Sequence, residues 1–221
     1  GGLPDDRLYR RLNHWLSSMK TPIPSCLEGP RHGRFIRFQQ FIFEWEGLWV
    51  CDPADKGGET WRGLCRKHYP DLLVWRSLDV LTTDEKKTYI GLEDEIREAY
   101  ACYYVDYFLP TAYKINDERL GFLVYNMAVN AGVSRAIKLL QRAAGVPTDG
   151  IFGRRTSDAV NCQKTGLLAT YHAECYSYYY RIGVGRKAKF VQGWLNRLKA
   201  AMKFVREEAH TLYGPHEGEE Q

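Results

Sequence analysis

Apolar residues recur at three- and four-residue intervals along much of this chain, which is the period of a helix with one buried face. In the first clear example the polar pair Glu46-Gly47 follows the last apolar position, and Gly is the usual residue just beyond a helix C-terminus. The pattern therefore predicts a helix that ends with a carboxylate at residue 46. The apolar positions of this helix are Phe35, Phe38, Ile42 and Trp45.

The same periodicity predicts further helices. Thr82 and Glu85 have capping-box spacing, and one long helix is expected from there to about Phe108, with Pro110 stopping it. Other helices are expected over residues 122–133, around 136–143 and around 191–205, and Thr156 is expected to cap another. Several alternating strands are not found. We therefore predict a mainly α fold with at most a small β-hairpin around residues 49–64.

Length and composition narrow the class of protein. A chain of 221 residues suits one domain or two small fused ones, and 44% hydrophobic with 26% charged residues is ordinary for a globular protein. No apolar run reaches the ~18–20 residues that span a membrane. We predict an extension over residues 1–34, helical regions over 35–120 and 121–210, and a tail over 211–221.

The six cysteines show no Cys-x-x-Cys pair, so we expect free thiols and neither a metal nor a cofactor. The first residues, Gly-Gly-Leu-Pro-Asp-Asp, lack the basic end and apolar core of a signal peptide.

The candidate chemistry lies in two carboxylates with unlike surroundings. Glu46 is followed by Leu48 and Trp49, and desolvation by such neighbours raises a carboxyl pKa and suits a general acid. Asp55 follows nine residues later, and a Gly-Gly turn is expected to fold it and Thr60 back toward Glu46. Cleavage of a glycosidic bond needs one protonated and one ionised carboxyl group. The spacing of Glu46 and Asp55 alone is also compatible with a helix end at the surface followed by an ordinary turn, without a catalytic role.

This stretch resembles the signature of glycoside hydrolase family 108, which is Glu-Gly-Gly-Tyr, then Asn-Asp-Pro-x-Asp-x-Gly-Gly-x-Thr, then Gly-Ile. The corresponding segments here are 46–49, 51–60 and 63–64. Leu48, Trp49 and Cys51 depart from the pattern, while both carboxylates are kept. The order of Glu, Asp and Thr is also similar to that of phage-type lysozymes.

A second resemblance lies downstream. Asn130-Ala-Gly132, the Leu-Gln-x-x-x-Gly that ends at Gly145, and Asp-Gly-x-x-Gly-x-x-Thr over residues 149–156 are similar to the peptidoglycan-binding half that accompanies this family. Gly193-Trp194-x-x-Arg197 is similar to its closing pattern. Together the two resemblances imply a lysozyme-like catalytic region over residues 35–120 and a helical peptidoglycan-binding region over 121–210.

The resemblance implies an N-acetylmuramidase that cleaves the β-1,4 bond between N-acetylmuramic acid and N-acetylglucosamine. Glu46 would protonate the glycosidic oxygen, while Asp55 with Thr60 would position a water on the opposite face. Inversion is expected if the two carboxyl groups lie roughly 6.5–9.5 Å apart, and retention at about 5 Å. The alternatives are a non-catalytic peptidoglycan-binding module and a glycosidase that cleaves chitin or chitosan on the same scaffold.

Substrate contacts are expected from aromatic rings, which stack on the C–H faces of sugars, and from two amides on the 122–133 helix. The alternatives are that the aromatic rings pack in the core and that the two amides hydrogen-bond a helix to a loop. The candidates are Trp49, Trp61, Tyr104, Tyr125, Asn126 and Asn130.

Net charge is +4, and the segment from Arg181 to Arg206 holds basic residues without an acidic one. This basic segment suits binding to peptidoglycan carboxylates, lipopolysaccharide or wall phosphate polymers. The alternative is that it is a solvated helix face. No nucleic-acid-binding signature is found, so nucleic acid is not expected. The expected partners are glycan strands, with a holin or secretion system for export or an immunity protein. We expect a monomer that is made in the cytoplasm and acts on the wall in the periplasm or outside the cell.

Overall fold

The computed structural model describes residues 31–51, 58–162, 166–185 and 188–213, and the side chains of His32 and of residues 208–213 are excepted. The predictions for residues 1–30, for Asp55 and for the end of the tail lie outside the described residues. The chain divides into two compact units, residues 1–104 and 105–221. The predicted boundary at residue 120 stays a prediction.

The first unit combines helices with one small sheet. Helix α1 is followed by three antiparallel strands in the order β1-β2-β3, in which Trp49 pairs with Trp61 and Trp61 with Leu64. The elements are α1 (His32–Glu46), β1 (Trp49–Cys51), β2 (Glu59–Trp61), β3 (Leu64–Cys65), α2 (Val74–Asp79), α3 (Thr83–Thr88) and α4 (Glu93–Tyr103).

Helix α1 holds the core of this unit through its apolar face. Phe35, Phe38 and Ile42 are buried as the periodicity predicts, whereas Trp45 is 38% exposed. Phe43, which the predicted face did not include, is also buried and meets the rings of Tyr100 and Tyr103 edge-on in α4. The helix ends at Glu46, and Gly47 follows with a φ of +70°.

The single long helix predicted from Thr82 to Phe108 is wrong. The capping box forms, since the Thr82 hydroxyl accepts from the Glu85 N–H and the Glu85 carboxylate accepts from the Thr82 N–H, but α3 ends at Thr88. Gly91 then adopts a φ of +92° against the Trp61 ring, which no helix allows. A new helix starts when Glu95 accepts from the Leu92 N–H at 2.7 Å.

The second unit is helical in its described part and is built around α5. Residues 120–128 of α5 are all buried, and α5 contacts α6, α8 and α9. The elements are a π-helical turn (Tyr104–Phe108, which begins in the first unit), a 3-10 turn (Ala112–Lys114), α5 (Glu118–Ala131), α6 (Val133–Ala143), α7 (Arg154–Cys162), α8 (Leu167–Ile182) and α9 (Ala188–Tyr213).

The loop after α6 is organised by one buried amide. The Gln141 side chain accepts from the Gly150 N–H at 2.9 Å and donates to Asp149 at 2.6 Å and to the Thr156 hydroxyl at 3.0 Å. Thr156 is therefore not the predicted N-cap: α7 already begins at Arg154, and the Thr156 hydroxyl is used by Gln141. The Leu-Gln and Asp-Gly segments of the sequence motif are thus the two sides of one hydrogen-bonded loop.

The mainly α fold with a small sheet is confirmed, and the predicted hairpin gains a short third strand, Leu64–Cys65. Cys51, Cys162 and Cys175 are free thiols. Within the described residues, no helix combines the length and apolarity needed to cross a membrane.

Candidate functional site

Glu46 is the last residue of α1 and its side chain is partly buried. The strand pair β2–β3 closes beside it through a two-residue turn, Arg62-Gly63. Both turn residues have positive φ, +49° and +78°, as in the type I′ turns that suit the twist of a hairpin. Arg62 is the one residue other than Gly with a positive φ in the described part of the chain. Backbone strain of this kind is common at functional sites.

The turn passes so close to the carboxylate that a side chain at Gly63 has no room between them. A Cβ placed on Gly63 would lie 2.7 Å from Glu46 Oε2 and 2.5 Å from the hydroxyl oxygen of Tyr103. Tyr103 is 1% exposed and donates to the Arg62 carbonyl at 2.7 Å. The end of α1, the hairpin turn and the end of α4 therefore meet at Glu46, and a glycine is required where they meet.

The strained turn is held by the Arg62 guanidinium. Its Nη2 donates to the Ile90 carbonyl at 2.9 Å, and the group lies 4.8 Å from the ring centre of Phe43 and 5.3 Å from that of Trp61. Burial lowers the pKa of Arg62 to about 10, and the hydroxyls of Tyr100 and Tyr103 offset this only in part. The Arg62 N–H also donates to the Leu48 carbonyl at 2.6 Å, which ties the turn to the segment after Glu46.

Sequence reasoning missed Arg62 and Tyr103 as parts of this site. The available signal was the pair Arg62-Gly63 between Trp61 and Leu64, since a two-residue loop ending in Gly is typical of a tight hairpin. Nothing in the local pattern indicates that Tyr103, more than fifty residues after Glu46, comes to the same point.

Trp49 is partly buried and its ring is fixed from two sides. Its Nε1 donates to Glu59 Oε1 at 2.8 Å, and the Lys86 ammonium lies 5.4 Å from the ring centre. Glu59 also pairs with Arg66 at 2.9 Å, and Arg66 holds Asp79 with two hydrogen bonds. Burial alone would raise the pKa of Glu59, but the hydrogen bonds from Arg66 and Trp49 and the nearby cations hold it below its ordinary value. Glu59 is thus an ionised carboxylate that orients Trp49.

Thr60 lies on β2 opposite Val50 and Cys65, so it faces the other side of the sheet from Trp61. Its hydroxyl lies 3.4 Å from the Val50 carbonyl. Asp55, its predicted partner, lies outside the described residues. The roles of both residues stay predictions.

Two of the four proposed aromatic contacts are fully buried. Trp61 is 0% exposed, with its Nε1 donating to the Tyr89 carbonyl at 3.2 Å, and Tyr125 is 0% exposed with its ring edge-on to Phe108. Neither ring presents a face on which a sugar could stack. Tyr104 is 8% exposed and packs against Phe35 at 5.0 Å. These rings are core side chains, because the helices and the sheet close over them.

The two amides of α5 also bond within the second unit. Asn126 is 2% exposed, and its Oδ1 accepts from Arg197 Nε at 2.9 Å. Asn130 is partly buried, and its Nδ2 donates to the Tyr179 hydroxyl at 2.5 Å. Asn126 therefore compensates a buried guanidinium, and Asn130 positions a tyrosine of α8. In the described part of the chain, no three His, Cys, Asp or Glu side chains come together as metal ligands would.

Two family models match successive parts of the sequence. The model described as glycosyl hydrolase 108 matches residues 39–132, and the model described as a predicted peptidoglycan domain matches residues 135–199. No curated protein matches the sequence. Among solved structures, SagA of Brucella abortus is similar over 79% of this chain and 95% of its own, with a TM-score of 0.60 and 22% sequence identity. At that identity the likeness shows a shared fold alone.

The first match contains Glu46, Gly63 and Tyr103, and the second contains the loop around Gln141. The glycosidase activity and the peptidoglycan substrate that the sequence implied are supported by these two matches. The chain therefore combines a part that is similar to glycosyl hydrolase 108, residues 39–132, with a part that is similar to a predicted peptidoglycan domain, residues 135–199.

Proposed function

We propose that the protein is an N-acetylmuramidase that cleaves the β-1,4 bond between N-acetylmuramic acid and N-acetylglucosamine in peptidoglycan, with Glu46 as the general acid. The observation that carries the proposal is the close approach of the Glu46 carboxylate to the strained Arg62-Gly63 turn, inside the part that is similar to glycosyl hydrolase 108. Strain is tolerated where surrounding packing holds it, and here the packing fixes one carboxylate.

The geometry suits a proton donor. A general acid must stay within hydrogen-bonding reach of the leaving oxygen through the transition state, and small displacements are costly. Glu46 is confined by Gly63 on one side and by the buried Tyr103 next to it. Trp49, three residues further along, is oriented by Glu59 and Lys86 and would line the substrate groove beside the acid. The second carboxylate of the reaction is assigned to Asp55, with Thr60 helping to hold the attacking water.

The test compares the wild type with Glu46→Gln on purified peptidoglycan, and soluble products are identified by mass spectrometry after reducing-end labelling. A general acid contributes about 10²–10⁴-fold to the rate, so Glu46→Gln is expected to lower product release by that factor. Glu44→Gln, an exposed carboxylate on the same helix, is the matched control and should keep its activity.

The identity of the new end decides the bond. Reducing N-acetylmuramic acid from the wild type supports the proposal, whereas reducing N-acetylglucosamine would make the enzyme a glucosaminidase. If neither protein releases products while both pellet with the wall, the region binds peptidoglycan without cleaving it. Cleavage of chitin oligomers in preference to peptidoglycan would favour the chitinolytic alternative.

The substrate also sets the place of action. We propose that the protein reaches the wall in the periplasm or outside the cell, through a holin, a secretion system or another export route. Fractionation of cells that express the protein with an epitope tag tests this, and a signal confined to the cytoplasm under all growth conditions would refute it.

A further inference from the structure

The second unit exposes a group of apolar side chains where α8 ends and α9 begins. Tyr176 is 44% exposed, Tyr180 54%, Val184 70% and Phe190 49%. Large exposed apolar side chains that cluster in this way mark interaction sites more often than chance positions do. These four residues are called the 176–190 surface below.

The exposure of the two tyrosines follows from the register of α8. Every fourth residue of this helix from Leu167 to Tyr179 is buried in the unit. Tyr176 and Tyr180 each follow a buried residue by one position, so they lie along the flank of that row. Their ring centres are 4.9 Å apart, their ring planes are tilted by 40° and their hydroxyls lie 3.2 Å apart, so the two rings form one continuous aromatic patch with a polar edge.

Packed aromatic rings beneath the surface hold Phe190 in place. Tyr179 is 2% exposed, accepts from Asn130 Nδ2 through its hydroxyl and stacks on Trp194 at 5.6 Å between ring centres. Phe190 stacks in turn on Trp194 at 6.0 Å. The exposed ring of Phe190 is thus attached to the core through two further rings, and binding to it costs little side-chain entropy.

The chain segment that forms the surface carries charge of one sign. From Cys175 to Arg206 the sequence contains no Asp or Glu. Arg181 and Lys189, which follow Tyr180 and precede Phe190 in the sequence, are exposed, and the Lys189 ammonium lies 4.9 Å from the Phe190 ring centre. The nearest acidic residues in the sequence, Glu174 and Glu207, are already paired with Arg142 and Lys203.

We propose that the 176–190 surface is where the second unit binds a peptidoglycan strand. The rings of Tyr176 and Tyr180 contact the C–H faces of the sugars, and their hydroxyls bond the sugar oxygens. Arg181 and Lys189 pair with the carboxylates of the stem peptides, which supply the negative charge that the surface lacks. A second copy of the chain is disfavoured as the occupant, since a symmetric contact would bring two positive surfaces together.

This proposal rests on the peptidoglycan substrate proposed above, but its test does not depend on cleavage. The full chain carrying Glu46→Gln serves as the parent, so that the wall is not digested during the measurement. Tyr176→Ala/Tyr180→Ala is compared with Tyr113→Ala, a tyrosine of the same unit that is 40% exposed elsewhere. Tyr176→Phe/Tyr180→Phe keeps both rings and removes only the hydroxyls. Each variant is first checked for an unchanged thermal unfolding midpoint.

Binding is measured by co-sedimentation with purified sacculi stripped of wall phosphate polymers. The double Ala variant is expected to bind at least about tenfold more weakly than the parent, with the double Phe variant between them and Tyr113→Ala unchanged. Equal binding of the double Ala variant and the parent overturns the proposal. A loss of binding on stripping the phosphate polymers, before any substitution, also overturns it, because those polymers are then the ligand.

The outcomes separate the two proposals. If wild type releases no reducing sugar but the double Ala variant still loses binding, the muramidase proposal fails and the binding surface stands. If wild type cleaves the wall and all variants bind alike, the surface fails and the muramidase proposal stands.

Discussion

Gly63 is the residue at which the proposed mechanism is most sensitive to a single added methyl group. At a φ of +78° any L-residue adds backbone strain of roughly 1–2 kcal/mol. In Gly63→Ala the new Cβ would also stand 2.7 Å from Glu46 Oε2 and 2.5 Å from the Tyr103 hydroxyl, well inside van der Waals contact. Tyr103 is buried and bonded to Arg62, so the carboxylate of Glu46 has to move by several tenths of an ångström.

Gly145 supplies the matched control for this substitution. It has a φ of +69°, and no atom lies within 4 Å of the position that an added Cβ would take, so Gly145→Ala carries the same backbone strain without a contact. Gly145→Ala should lose about 1–2 kcal/mol in the free energy of unfolding, measured with urea, and Gly63→Ala at least as much, because its Cβ also meets Glu46 and Tyr103. Displacing a catalytic group by up to 1 Å costs on the order of 10²-fold in rate, so kcat on purified peptidoglycan should fall by about that factor in Gly63→Ala alone.

Equal activity of the two variants, measured under conditions in which both are folded, would refute the reasoning that Gly63 keeps Glu46 in place. A loss of activity in Gly63→Ala that is fully restored by lowering the temperature would point to unfolding instead of displacement. Measuring kcat and the unfolding midpoint on the same preparations separates the two.

Two further predictions concern stability. The pKa of Glu59 is lower in the folded protein than its ordinary value of 4.5, so near that pH the unfolded chain binds more protons than the folded one. The contribution of Glu59 to stability is therefore present above pH 4.5 and is lost as the pH falls through the folded pKa. Urea titrations from pH 6 downward should show a steeper loss for wild type than for Glu59→Gln, and parallel curves would contradict this. Gln141→Ala should cost about 1–3 kcal/mol in unfolding free energy, because it leaves Gly150 N–H and the other loop partners of a buried amide unsatisfied. Gln192→Ala is the control, because it removes an exposed amide that bonds Asn196 and should change the unfolding free energy by less than about 0.5 kcal/mol. If Gln141→Ala and Gln192→Ala lose the same unfolding free energy, the loop does not depend on Gln141.

The local pattern was sufficient for the elements whose ends carry strong chemical signals. Helix α1 ends at Glu46 before a glycine, and the capping box at Thr82 forms as its spacing predicts. The pattern did not predict the break between α3 and α4. The backbone turns there because Gly91 must pass close to the Trp61 ring, and Trp61 is distant in the sequence.

Aromatic candidates show the limit of reasoning from residue type. Trp49 and Trp61 are paired across strands β1 and β2. Judged by residue type alone, both side chains are equally suited to stack on a sugar ring. The structure leaves Trp49 partly buried at the surface and closes the core over Trp61. Because the two residues are directly paired, they share one face of the sheet. Their burial depends on what packs over each position of that face, and a short strand sequence does not contain that information.

The mainly α class, the helix that ends at Glu46 and the order of the two motif groups can be predicted from the amino-acid sequence, because they depend on periodicity and on residues close together in the chain. The structure was needed to show that Gly63 and Tyr103 lie beside the Glu46 carboxylate, that Gln141 closes the loop to Thr156, and which tyrosines of α8 face outward. Each of these depends on contacts between segments that are separated in the sequence. Such contacts are selected by the packing of the whole unit, which no local pattern encodes.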